Sequence, residues 1–229
     1  MSTLVQTGPF GSQLHADEYV SGGVPVINPS HISTSGIDAD LRVSVSERTA
    51  VRLSRHRFQV GDVVIARRGE LGRCAVVGVE EAGWLCGTGS LIVRPDHGID
   101  SRYLQVRVSS AATRAELAAQ STGATMPNLN AQMIARLRLP VPPITEQREI
   151  VEVLAREESA SRQRRRVIET EIVLLREYRT RLTSDVVTGR FDVRHIAATL
   201  PALDSEKVSD GSDDDLLDDS AEVLEEVDA

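Results

Sequence analysis

The sequence predicts an α+β fold: a globular, β-rich domain, then one long helix of the kind that forms coiled coils, then an acidic, disordered tail. Three observations carry this. Up to about residue 100, short apolar runs alternate with Gly, Pro and Asn turn residues, as strands do. From Thr145 to Gly189 the apolar residues recur at spacings of three and four, or multiples near them, which is the helical period. In the last 29 residues charge segregates, with 12 acids against one lysine. The expected boundaries are 1–143 for the domain, 144–189 for the helix and 190–229 for the tail.

In chain order, "GVPVINPSHIS" is a short strand ended by Asn-Pro-Ser. "FQVGDVVIARRGELGRCAVVGVEE" makes two strands around "RRGELGR", with Gly69 and Gly72 supplying the turn. "WLCGTGSLIVRP" is a strand pair or a bulged strand closed by Pro95. Over residues 101–120 the period changes, and Tyr103, Leu104, Val106, Val108 and Leu117 among Ala, Arg and Glu suit a helix. "STGATMPNLN" is a turn, shaped by Gly123, Pro127 and Asn128, and "MIARLRLPVP" leads through a short extended piece to the prolines. The long helix follows, with Thr145 as its N-cap, Glu146 in its first turn and Gly189 as its stop. About 44 residues at 1.5 Å each give ~65 Å, too long for one small domain to cover. Its apolar stripe, broken at "SASRQRRR", therefore calls for another helix.

Composition bounds the function. Apolar residues are 41% and aromatics 3%, so a core is available and must be built of Val, Leu, Ile and Ala. No run approaches the ~18 apolar residues that span a bilayer, and the start lacks a basic and an apolar leader region, so a cytoplasmic protein is expected. Cys74 and Cys86 are too few for a disulfide framework and read as buried thiols. The net charge of −8 hides a division: outside the tail, 25 arginines face 22 acids, a balance of +3. Arg presents a planar fork suited to phosphates and guanine edges, although a GC-rich genome also favours it.

Signatures of chemistry are absent. There is no P-loop, "GTGSLI" completes neither a dinucleotide fingerprint nor a nucleophile elbow, and no Pro-Pro-aromatic tetrapeptide of amino-methyltransferases occurs. His15, His31, His56, His97 and His195 have no metal-ligand spacing and read as surface or loop residues. No catalytic residue, metal or cofactor is expected, and a binding module with an assembly helix fits better than an enzyme.

"GATMPNLN", "LRLPVPPITEQREIV" and a long helix ending "REYRTRLTSDVVTGRFDVR" closely resemble the specificity subunit of type I restriction–modification systems. "GPFGSQL" and "RYLQ" resemble its target-recognition domain, and the likeness runs from about residue 8 to 195. The resemblance implies a non-catalytic protein that reads double-stranded DNA and docks methyltransferase subunits, with a restriction subunit able to join. In that family two recognition domains each read half of a split site, and two helices pair antiparallel to set their distance. A ~65 Å rod matches roughly 19 base pairs at ~3.4 Å each. One recognition domain and one helix are present here, so a second specificity chain, identical or different, is expected as a partner. "STLVQT" is short for the strand that precedes "GPFG" in the family.

Within that resemblance the expected DNA contacts are Ser12 and Gln13 after the glycine turn, Arg67, Arg68 and Arg73 around "RRGELGR", and Ser90. The expected helix-pairing residues are Ile150, Leu154, Ile168, Ile172, Leu175 and Leu182. "RQRRR", 162–166, offers cations to a DNA backbone or to an acidic methyltransferase surface. The tail, absent from the family pattern, could compete with DNA for a basic surface. Two other readings compete with DNA reading: a fragment of a single-chain methyltransferase, and a regulatory half-subunit that holds methyltransferase without selective DNA binding.

Overall fold

The computed structural model describes residues 2–33, 35–120 and 128–197. The chain divides into two compact units, Met1–Arg162 and Gln163–Ala229.

The first unit is built on a four-stranded antiparallel sheet. Its strands are β1 (Ser2–Thr7), β7 (Val63–Ala66), β8 (Cys74–Val76) and β10 (Ser90–Pro95), in the order β1-β10-β7-β8. "STLVQT" thus forms a full edge strand, with Val5 opposite Val93 and Thr7 opposite Leu91. Side chains alternate across each strand, and both faces are apolar, so both are covered. Val63, Ile65, Leu91 and Val93 pack with Leu104, Val108, Leu117, Leu129, Ile134 and Leu137. Val64, Ala66, Ala75 and Ile92 pack on the other side with Ile27, Ile32, Phe58, Val77 and Cys86.

Between β1 and β7 run β2 (Tyr19–Val20), β3 (Val24–Ile27), β4 (Ile32–Ser33), β5 (Gly36–Ile37) and β6 (Ser44–Val45). With β9 (Leu85–Cys86) they form a second sheet, β2-β6-β3-β9, and a two-stranded β4-β5 piece. β9 and β10 are not a hairpin: β9 runs parallel to β3, while β10 is central in the other sheet. The Gly87-Thr88-Gly89 link carries the chain from one sheet to the other. The crossing is tight, since a Cβ on Gly8 would lie 1.8 Å from the Gly87 carbonyl oxygen. Only a residue without a side chain allows that approach.

Helix α1 (Glu47–Arg52), unforeseen in the sequence, starts at Ser46, whose hydroxyl accepts from the Thr49 N–H. It brings Ala50 and Leu53 into a third apolar cluster with Leu14, Val26, Val45 and Leu85. The stretch 101–120 is two helices, α2 (Ser101–Ser109) and α3 (Ala111–Gln120). The break falls at Ser110, whose backbone is extended and whose hydroxyl donates to the Arg107 carbonyl at 2.8 Å. Asn130 caps a further short helix, α4 (Ala131–Arg136), and residues 137–143, neither helix nor strand, lead from it to α5 where the short extended piece was expected.

The long helix α5 (Ile144–Val187) begins in this unit. Its first helical hydrogen bond runs from the Gln147 N–H to the Pro143 carbonyl at 3.0 Å, so Thr145 lies inside the helix and is not its cap. Gln147 itself is fully buried. Its Oε1 accepts from the Asp100 N–H at 2.9 Å, and its Nε2 donates to the carbonyls of Gly98 at 2.9 Å and Pro142 at 2.8 Å. Asp100 in turn caps α2, accepting from the Arg102 and Tyr103 N–H groups. The Tyr103 hydroxyl donates to the Pro140 carbonyl at 2.8 Å. These bonds fasten the start of α5 to the end of β10 and the start of α2.

His56 is buried at 3% exposure, where a surface histidine was expected. The 3-10 turn Ser54–His56 tucks its ring under the end of β1, with Nδ1 3.1 Å from the Thr7 carbonyl. Burial and the nearby Arg55 charge hold its pKa below the usual range. Cys74 and Cys86 are buried free thiols; burial pushes Cys74 up to about 12 and raises Cys86 further.

In the second unit, Gln163–Val187 completes α5. Gly189 stops it as expected, at φ +75°, with its N–H on the Val186 carbonyl and the Phe191 N–H on the Asp185 carbonyl. A short helix, α6 (Arg194–Ala197), follows. The tail 201–229, Gly123 and Pro127 lie outside the described residues.

Two outcomes follow from these contacts. Replacing Gln147 by Ala removes three buried hydrogen bonds and leaves their backbone partners unpaired, at a cost of about 3 kcal/mol. Urea unfolding of Gln147→Ala reads this, and an unchanged midpoint would contradict it. For His56, the folded state resists the proton while the unfolded chain takes it near pH ~6.5. The stability this gives above ~6.5 is therefore lost as pH falls toward the depressed folded value. Thermal melts across that range should show the loss in the unaltered chain and a flatter profile in His56→Gln.

Candidate nucleic-acid interface

In the antiparallel sheet, β1 and β7 end where β8 and β10 begin. Four connections therefore meet at one end: the glycine turn after Thr7, the 67–73 loop, the 87–89 link and Leu129. Backbone bonds stitch them, from Gly8 N–H to the Ser90 carbonyl, Arg67 N–H to Gly89, and Leu129 N–H to Arg67. Of the six residues singled out in the sequence for DNA, Arg67, Arg68, Arg73 and Ser90 sit at this end, while Ser12 and Gln13 follow Gly8 in a turn that Arg52 ties to α1. The Gln147 junction engages Gly98 and Asp100, beyond the opposite end of β10.

Their settings differ. Ser12 is exposed. Gln13 folds back, its Oε1 accepting from the Phe10 N–H at 3.3 Å, and its carbonyl receives the Arg52 guanidinium at 2.7 Å. Arg52 also pairs with Glu18, which fixes the turn to α1. Phe10 projects beside them at 55% exposure.

Arg67 is half-buried, and its Nε and one terminal nitrogen donate to the carbonyls of Leu129 at 2.7 Å and Thr88 at 3.3 Å. Burial, then the Arg68 charge, lowers its pKa. It therefore holds the connections together from inside. Arg68 is exposed and makes no hydrogen bond or ion pair with another described residue. Arg73 lies over the Gly69 turn, with its Nε buried and unpartnered. Glu70 does not neutralise this loop locally; its carboxylate pairs with Arg114 of α3 at 3.0 Å. Ser90 is fully buried and its hydroxyl has no partner among the described residues, so it does not reach the surface. Sequence reasoning missed Arg52 and Phe10, and no local pattern marks either.

Along the first turns of α5, an open groove of about 830 Å³ separates Leu154 and Arg162 from Arg73, Arg102, Gln105 and Arg114. Among the residues expected to pair with another helix, Ile150 is half-buried. Leu154, Ile168, Ile172, Leu175 and Leu182 are each 40–60% exposed. No group of His, Cys, Asp and Glu among the described residues could hold a metal ion, and no described helix is long and apolar enough to cross a membrane.

The family of the type I restriction modification DNA specificity domain matches residues 8–169, well over half of the chain. Two solved structures share the fold. A chain from work on complex assembly and conformational transition of the type I R-M system is 19% identical with a TM-score of 0.54, the match covering 75% of this chain and 40% of that one. The HsdS subunit from Thermoanaerobacter tengcongensis is 21% identical with a TM-score of 0.54, covering 72% of this chain and 42% of that one. This chain thus spans about two fifths of the length of those it matches. No curated protein sequence matches it. A β-rich domain with its loops gathered at one end, followed by a long helix, agrees with the family match: the chain belongs to the type I restriction modification DNA specificity domain family.

Proposed function

We propose that this chain reads one half of a split double-stranded DNA site for a type I restriction–modification system. Residues 1–143 read the DNA, helix 144–189 sets the spacing and docks methyltransferase subunits, and 190–229 form the tail. The chain contributes recognition and no catalysis; methylation of adenine from S-adenosylmethionine falls to the methyltransferase subunits, and a restriction subunit joins that assembly.

The observation that carries this reading is the gathering of separate loops at one end of the sheet. Among the described residues Arg68 is an exposed cation there that no acid pairs, open to phosphate, with Ser12 and Gln13 beside the exposed Phe10 as candidates for base edges. Arg67 and Arg73 support the loop that presents Arg68. Ser90, being enclosed, acts through the strand it starts.

The rod pairs with the helix of a second specificity chain, through Ile150, Leu154, Ile168, Ile172, Leu175 and Leu182. Charge along α5 favours an antiparallel arrangement. Ile144–Arg162 carries five acids and three arginines, whereas Gln163–Val187 carries six arginines and four acids. Two antiparallel copies set the acidic half of each against the basic half of the other, and parallel copies set like on like. Such a dimer holds two recognition domains related by a two-fold axis, suited to a palindromic split site.

The test is co-expression with the methyltransferase subunit, followed by mapping of methylated adenines and DNA binding across a salt series. A defined split motif is expected. Arg68→Ala should weaken binding on all sequences alike and reduce the log–log salt slope by about 1. Ser12→Ala or Gln13→Ala should instead relax one position of the motif, by about 1–3 kcal/mol. Binding with no sequence preference in the presence of the methyltransferase would refute the reading.

A further inference from the structure

The basic half of α5 carries an apolar stripe with a second notable property. At ~100° per residue, Ile168, Ile172, Leu175, Leu182 and Val186 lie within a narrow arc of the helix. Within about 80° of the centre of that arc stand Arg164, Arg165, Arg176 and Arg179, against Glu171, while Glu169 and Asp185 lie about 100° from it. None of these four arginines forms an ion pair with another described residue through its guanidinium. The face asks for an occupant that is apolar along its middle and acidic along its flanks.

The same chain contains one. In "DDDLLDDSAEVLEEV", residues 213–227, Leu216, Leu217, Val223, Leu224 and Val227 recur so as to share one side of a helix, and nine acidic residues lie between Asp213 and Asp228. Its distance from the face is within reach. The 15 residues between Ala197 and Asp213 extend to about 50 Å at most. The helix from Arg164 to Val187 is about 35 Å long.

We infer that residues 213–227 dock on the arginine-flanked stripe of α5 in the same chain, and so compete with a partner helix for that face. The acidic segment stands in for the acidic first half that an antiparallel partner would bring. Docking depends only on the charge and apolar pattern of α5; the competition rests on the pairing proposed above.

Hydrogen exchange of the full chain, read by mass spectrometry at low salt and at a concentration where it is monomeric, tests the docking. Amides of 213–227 should exchange at least about tenfold slower than in Leu217→Ser/Leu224→Ser or in Arg176→Glu/Arg179→Glu, and about 1 M salt should narrow the difference. Exchange at the rate of a free peptide in the unaltered chain overturns the docking, whether or not the chain dimerises. Sedimentation velocity tests the competition: the Leu217→Ser/Leu224→Ser chain should self-associate at a concentration at least about fivefold lower. A slowed tail with unchanged self-association overturns the competition and leaves the docking in place.

Discussion

The first unit depends on one buried amide. Gln147 meets an N–H and two carbonyls at once, which a side chain with both donor and acceptor can do and a carboxylate or an ammonium cannot. Because the bonds go to backbone, they fix the main chain itself: the end of β10, the first turn of α2 and the proline segment before α5. A neutral group also avoids burying a charge. The Tyr103 hydroxyl on Pro140 and the Asp100 cap belong to the same lattice of bonds. A misplaced Gln147 would release the start of the long helix from the domain.

A two-faced sheet transmits this anchoring. Its strands are apolar on both sides, so each is held by two cores and keeps its register. Rigid strands place their end loops, and the Gly8–Gly87 approach closes the gap between the two sheets at that end. Arg67 extends the same role, since its guanidinium serves carbonyls of two other connections. Arg68, its neighbour, is left to solvent by the turn between them. Adjacent arginines with the same charge thus do different physical work, one inside the fold and one outside.

The long helix shows the opposite economy. Most of its apolar residues beyond Val151 are exposed, and its charge changes sign along its length. Exposed Ile and Leu at helical spacing lose free energy until another surface covers them. The sign change restricts what can cover them well: an antiparallel copy, or an acidic segment over the basic half. Assembly and its restraint would then draw on the same residues.

The sequence by itself determined the class of fold, the loop at 67–73 with its flanking strands, the long helix and its stop at Gly189, and the family. Each rests on local information: period, turn residues, or a contiguous motif. It also pointed to Gln147 as part of "PPITEQ" without revealing its role, because two of its three partners stand 47 and 49 residues away. The break at Ser110, the helix Glu47–Arg52, the burial of His56 and the separation of β9 from β10 were decided by tertiary structure. In each case the deciding contact comes from a distant segment or from a cap whose geometry local composition leaves open. The same holds for the candidate interface. Arg67 and Arg68 are indistinguishable in the sequence, and Ser90 reads there as a loop hydroxyl. Only the packing of β1, β7 and β10 turns Arg67 and Ser90 inward and leaves Arg68 and Ser12 facing solvent.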